Sequence, residues 1–144
     1  MAINHFRGRC HCGNLEVEFD TDLPLERLSL RADQCSFCTK HGARTTSDPS
    51  GHVKIIVHDP RLLIQYCFGL ATADFLVCKR CGIYVAAVLL AGDSCYATLN
   101  VNTLDRVSEF TQRAIPVSYD SETRSERAAR RVTKWTPSAV EMNS

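Results

Sequence analysis

Three short stretches carry paired sulfurs: Cys10-His11-Cys12-Gly13, Cys35-Ser36-Phe37-Cys38 and Cys78-Lys79-Arg80-Cys81-Gly82. Thiolates at such spacing are soft ligands for a metal ion, zinc above all. In the first and third stretches a glycine follows the second cysteine at once. Glycine takes φ > 0 without steric penalty, so the chain can turn back and aim backbone N–H groups at the sulfurs. Two such turns supply four thiolates: Cys10, Cys12, Cys78 and Cys81 form a closed tetrahedral zinc site. Four protein ligands leave no position for a substrate, so this site is structural. It closes a long stretch of chain, and its metal affinity is then part of the folding free energy.

The middle pair is followed by Thr39 and has no such glycine. Cys35 and Cys38 with one further ligand leave a fourth coordination position open, as catalytic zinc requires. Asp33, two residues before Cys35, and His41, three after Cys38, are both candidates for that ligand. The plainer alternatives are a turn or cap residue for Asp33 and an ordinary loop histidine for His41. A redox C-x-x-C is another reading, but no thioredoxin-like βαβ pattern surrounds it. Cys67 and Cys95 stand alone in apolar stretches and read as small buried hydrophobes, not ligands. The sequence has no phosphate-binding glycine loop, no Gly-x-Ser-x-Gly elbow and no His-Glu-x-x-His.

These sulfurs need a scaffold. The chain has 144 residues, which suits one domain with a real core, and 44% of them are hydrophobic. A net charge of +1 argues against a general nucleic-acid binder. The segment from Met1 to Cys10 has no apolar core of the signal-peptide kind, and the longest apolar run, Ile83 to Ala91, is too short to span a bilayer. Six of the eight cysteines sit in tight pairs, which points to metal binding in a reducing cytosol, hence a cytoplasmic protein, more than to a disulfide framework.

Strand patterns dominate. Leu15, Val17 and Phe19 alternate with Glu16 and Glu18, predicting a half-buried strand over Asn14 to Asp20. Further strands are expected at Leu28–Ala32, Val53–His58, Leu62–Phe68, Ala73–Val77, Ile83–Leu90 (the central, buried one) and Cys95–Val101. Thr39 to Gly51 reads as loop, with one helical turn after Cys38. The expectation is a mainly β, zinc-binding domain over residues 1–118. Residues 119–144 read as a polar, basic tail with a helix over Ser121 to Lys134, Ser121 as N-cap. Arg124, Arg127, Arg130, Arg131 and Lys134 make that helix either a solvated face or an anion-binding or docking element, and Trp135-Thr136-Pro137 would pin it to the domain.

The order Gly8-x-Cys10-x-Cys12-Gly13, Cys35-Ser36-x-Cys38 with Lys40 and Gly42, Cys78-x-x-Cys81-Gly82, then Leu99-Asn100-Val101 with Leu104-Asp105, resembles the glutathione-dependent formaldehyde-activating enzymes and the centromere protein V-like proteins. The resemblance spans roughly Phe6 to Asp105. It implies an Mss4-like β-rich fold, a structural zinc on the first and third motifs, and a second, catalytic zinc on the middle motif. It also implies addition of glutathione sulfur to formaldehyde, a carbon–sulfur lyase reaction in reverse, with Zn2+ as cofactor and a small thiol such as glutathione as partner. The family's middle motif is C-x-C-x-x-C; here Asp33 stands at its first ligand position, before Cys35 and Cys38. The family also often has histidine three residues before the last motif, where this chain has Phe75. Lys40 or Arg44 would hold glutathione carboxylates. The competing expectation is a zinc-stabilised binding or scaffold protein without the second metal.

Overall fold

The computed structural model describes residues 3–70 and 72–143. In its first half are β1 (Asn4–Arg9), β2 (Leu15–Thr21), β3 (Arg31–Asp33), α1 (Ser36–His41), β4 (Thr45–Thr46) and β5 (His52–Val57). In its second half are β6 (Leu63–Tyr66), β7 (Asp74–Cys78), β8 (Tyr84–Ala91), β9 (Ser94–Asn100), β10 (Ile115–Val117), α2 (Arg124–Lys134) and β11 (Thr136–Met142). The strands form one mixed sheet in the order β1-β2-β5-β11-β9-β4-β3-β10, and the antiparallel run β6-β7-β8 joins it through β8 against β9. The domain is mainly β, as its alternating patterns predict.

Periodicity explains most of the strands. Leu15, Val17, Phe19 and Thr21 of β2 are buried, with their neighbours half-buried. Val53, Ile55 and Val57 of β5 do the same in register against it. β8 is buried over its first six residues because β7 and β9 flank it on both sides. One core cluster gathers Phe6, Phe19, Leu30, Ile55, Leu76 and Leu99; a second gathers Cys38, Phe75, Tyr84, Ala87 and Trp135. Gly8 of the first motif is explained by crowding: a Cβ there would sit 2.4 Å from the Thr103 carbonyl oxygen, where β1 bridges to Leu104.

Several expectations change. The chain beyond residue 118 is no appendage, because β11 lies inside the sheet, parallel to β5 and antiparallel to β9. Its sequence hides this: Thr136-Pro137-Ser138-Ala139-Val140 is neither strongly apolar nor cleanly alternating, and Pro137 lacks a backbone donor. The helix is there, but its N-cap is Thr123, not Ser121. The Thr123 hydroxyl accepts the Glu126 N–H at 3.1 Å and Glu126 accepts the Thr123 N–H at 2.8 Å. The helical turn begins at Ser36, before Cys38 rather than after it, and ends at Gly42 with φ 59°. The strand expected over Leu28–Ala32 is assigned over Arg31–Asp33, although Leu28 and Leu30 are buried. Cys67 is exposed, not core; it follows β6, whose last three residues face solvent, and its thiol donates to Asp74 at 2.8 Å. Cys95 is half-buried against the core and accepts the Ser138 hydroxyl at 3.2 Å.

Trp135 joins α2 to the second cluster, with 5% of its surface exposed and the Arg131 guanidinium 4.7 Å from its ring. Truncation of a buried Trp to Ala removes packing and leaves a cavity, so Trp135→Ala should lower unfolding free energy by about 3–5 kcal/mol in urea titration. A loss below about 1 kcal/mol would mean that α2 is only loosely docked.

Candidate metal centres

Both glycine turns form as their spacing predicts. Gly13 has φ 87° and Gly82 has φ 80°. The Leu15 N–H donates to Cys10 Sγ at 3.3 Å, and the Cys81 N–H donates to Cys78 Sγ at 3.5 Å. The turn between β1 and β2 thus faces the turn between β7 and β8. Cys10 Sγ is 3.8 Å from Cys12 Sγ, Cys12 Sγ is 3.5 Å from Cys78 Sγ, and all four ligand atoms, Cys81 included, lie within 4.8 Å of one another. A tetrahedral site with metal–sulfur bonds of ~2.3 Å has sulfur–sulfur edges of ~3.8 Å. A disulfide would need ~2.04 Å, and all eight cysteines are free.

The charges fit a cation as well. Burial pushes Cys10 up to about 12, against the Leu15 N–H that lowers it. Burial also raises Cys78. For Cys81 burial acts upward too, but the Cys12 and Ile83 backbone and the neighbouring thiols outweigh it and bring the group to about 6. Burial therefore holds the protons on Cys10 and Cys78, while Cys81 yields its own readily, and a bound cation would displace the protons that remain. The residues of this cluster fit a divalent metal.

The second group is Asp33, Cys35 and Cys38, whose ligand atoms also lie within 4.8 Å of one another. Local structure places them. Cys35 is the N-cap of α1, and its sulfur accepts the Cys38 N–H at 3.4 Å. Asp33, at the end of β3, accepts the Cys35 N–H at 2.9 Å. The Cys38 thiol donates to Cys35, and that bond, opposed by burial and aided by the Cys38 N–H, lowers Cys35 to about 7. The same bond, with burial, raises Cys38. His41 is not in this group: its ring packs 4.5 Å from that of Phe37 and 5.7 Å from that of Tyr84. Of the two candidate third ligands, Asp33 is the one brought to the sulfurs.

Asp33 and Cys35 line a cavity of ≈ 60 Å³ whose walls include Phe68, Phe75, Tyr119 and three arginines of α2: Arg127, Arg130 and Arg131. Arg130 is bidentate to Glu122 at 2.8 and 3.1 Å. Burial, with the like charges of Arg130 and Arg127, brings Arg131 down to about 10, so it stays charged at neutral pH. Phe37, inside the C-x-x-C, packs among Tyr66, Phe68, Phe75 and Tyr84. Tyr84 is fully buried; burial first, then the negative field of Cys38, Cys35 and Asp33, raises its phenol well above the ordinary range. Lys40 is exposed on α1, and Arg44 is engaged with Asn102 at 2.8 Å and the Phe110 carbonyl at 3.0 Å; neither lines the cavity. The cations at the site come from the helix of the presumed tail. Their run at helical spacing was the available signal; its place in the fold was not.

No protein-family model matches the chain, and no curated protein does. Among solved structures, the chain is similar to a Rhodobacter sphaeroides protein from a structural genomics programme, with 26% identity, a TM-score of 0.56 and coverage of 78% of this chain and 99% of that one. No helix among the described residues is long and apolar enough to cross a membrane.

Cys78→Ser should remove the metal of the four-cysteine cluster and most soluble expression, while Cys67→Ala should leave metal content unchanged, both read by elemental analysis and thermal melting. Wild-type metal content in Cys78→Ser would break the clamp. After mild chelation, iodoacetamide should modify Cys35 half-maximally near pH 7, the thiolate being the nucleophile. Cys67, raised by its bond to Asp74, should react only at higher pH. Equal pH profiles at the two positions, read by peptide mass spectrometry, would contradict this assignment.

Proposed function

We propose that Asp33, Cys35 and Cys38 hold a second zinc and that the protein forms or cleaves a carbon–sulfur bond in a small thiol adduct. One observation carries the reading: three ligand atoms, not four, converge within 4.8 Å, and two of their residues, Asp33 and Cys35, line a cavity. Three protein ligands leave a position for a substrate. Zinc bound there supplies Lewis acidity that favours the thiolate form of a substrate thiol near neutral pH. The reaction class is addition of a thiol sulfur to an aldehyde carbon, or its reverse. The C–S bond forms, the carbonyl becomes a hydroxyl, and the thiol proton ends on that oxygen. The family resemblance supports glutathione and formaldehyde as one such pair.

The chain's own residues set the surroundings. Cys38 is buried in the aromatic cluster, which fixes α1 against β8 and keeps water from that side. Asp33 makes the ligand set harder than three thiolates and less tightly zinc-binding. Phe75 brings an apolar ring to the cavity wall at the position where the family often has histidine, so no imidazole acts from there. A second reading, a scaffold protein with only the four-cysteine metal, is favoured by the Asp33 carboxylate, which already accepts the Cys35 N–H at 2.9 Å as a turn residue does without metal.

Metal counting separates the two. Wild-type protein purified without chelator should carry two zinc ions per chain, and Asp33→Ala should lose one without a change in circular dichroism. Asp33→Cys should hold the second ion against a chelator that strips the wild type. A single zinc in metal-replete wild-type protein would establish the scaffold reading instead.

A further inference from the structure

We infer that the cavity beside Cys35 recognises the carboxylate of a small ligand, with Arg131 as its specificity-determining residue. The inference deepens the reading of Asp33, Cys35 and Cys38 as a reaction centre and rests on it for the ligand's sulfur end, but the carboxylate contact stands on separate residues. Arg131 has only 8% of its surface exposed, yet it makes no ion pair among the described residues. One of its terminal nitrogens donates to Thr72 Oγ1 at 2.7 Å, its ring-side contact is Trp135, and its buried Nε has no hydrogen-bond partner among the described residues. A buried cation with an unused donor and no carboxylate in contact, only the more distant fields of Asp33 and Glu122, is costly, and burial of this kind is normally compensated by an adjacent anion.

The surrounding charges leave that anion unsupplied. Arg127 and Arg130 share one carboxylate, Glu122, at 3.5 and 2.8 Å. Arg31, whose pKa burial lowers, donates to the Ser47 and Thr98 hydroxyls and pairs with no carboxylate among the described residues. Two carboxylates do line the cavity, but Asp33 is taken up by the Cys35 N–H and the sulfur group, and Asp120 is exposed to solvent. An incoming carboxylate would meet a guanidinium fork, whose paired N–H groups match its two oxygens. Size suits this class: at ≈ 60 Å³ the cavity has room for a carboxylate, since one water needs only ~10–15 Å³ of such space. With Cys35 on the same wall, the ligand class is a short mercapto-acid, or a longer thiol that puts one carboxylate end inside.

Calorimetric titration of the full chain, purified with its metal, tests this with 3-mercaptopropionate, 2-mercaptoethanol, propionate and inorganic phosphate. The acid should bind at least tenfold more tightly than the uncharged 2-mercaptoethanol, and propionate should compete with it. Arg131→Gln, checked by circular dichroism, should reduce the tenfold ratio to near one. If that variant does not fold, Arg131→Lys, which keeps the charge and loses the fork, should reduce it several-fold. Equal affinities of the two thiols for wild type would overturn the inference, as would an undiminished ratio in a folded Arg131 variant. Stronger competition by phosphate than by propionate would overturn the carboxylate assignment. Cys35→Ala should keep propionate binding and abolish the advantage of 3-mercaptopropionate over propionate. If that advantage persists while the Arg131 dependence holds, the sulfur-centre reading fails and the carboxylate site stands.

Discussion

The structure depends on one arrangement: two turns, 66 residues apart at Cys12 and Cys78, bring four sulfurs to one point. Each turn joins a pair of antiparallel strands, so the sulfur cluster fixes the β1–β2 hairpin to the β7–β8 hairpin. Hydrogen bonds alone do not do this, because β1-β2-β5 and β6-β7-β8 lie on different branches of the sheet and meet through β9 and β11. A long loop closed by metal is favoured because the unfolded chain loses freedom that the folded chain has already given up. The rest of the sheet can then be built from short strands, several of only two to four residues.

The second sulfur group is held in another way. It sits at the start of a six-residue helix, between β3 and an aromatic cluster supplied by β7, β8 and the chain after β6. Apolar packing positions Cys38, and a carboxylate–amide bond positions Cys35. Packing thus encloses this group on the Cys38 side, while Asp33 and Cys35 border a cavity, in contrast to the four-sulfur cluster formed by two facing turns.

Local chemistry was legible and distant pairing was not. The two cysteine–glycine turns announced the four-sulfur group because the conformational need for φ > 0 is written at the residue itself, and the C-x-x-C spacing alone announced the second. Alternation announced β2, whose faces differ in burial, and β9, whose last four residues are buried on both faces; β-branched residues announced β5. β1 and β11 escaped because Asn4–Arg9 and Thr136–Met142 carry too few apolar residues for period two to stand out. The arginines of α2 were visible as a basic helix, but that they face Cys35 depends on β11 drawing the end of the chain into the sheet, a pairing with no local signal. Lys40 and Arg44 were nearer in sequence and are further from the cavity, since α1 turns Lys40 to solvent and Arg44 reaches back to Asn102. Cys67 shows the converse: apolar neighbours in sequence did not bury it, because β6 is an edge strand.

The placement of β11 also governs how the chain emerges during synthesis. Until residues 136–142 leave the ribosome, β5 and β9 each present an unpaired edge of backbone donors and acceptors. Such edges invite pairing with other chains, and the hazard lasts as long as they stay open. The hairpin β1–β2 and the meander β6-β7-β8-β9 can form earlier from neighbouring sequence, and their sulfur turns are complete once Cys81 has emerged. A metal taken up there would precede closure of the sheet and give the nascent chain a fixed frame before β11 is made.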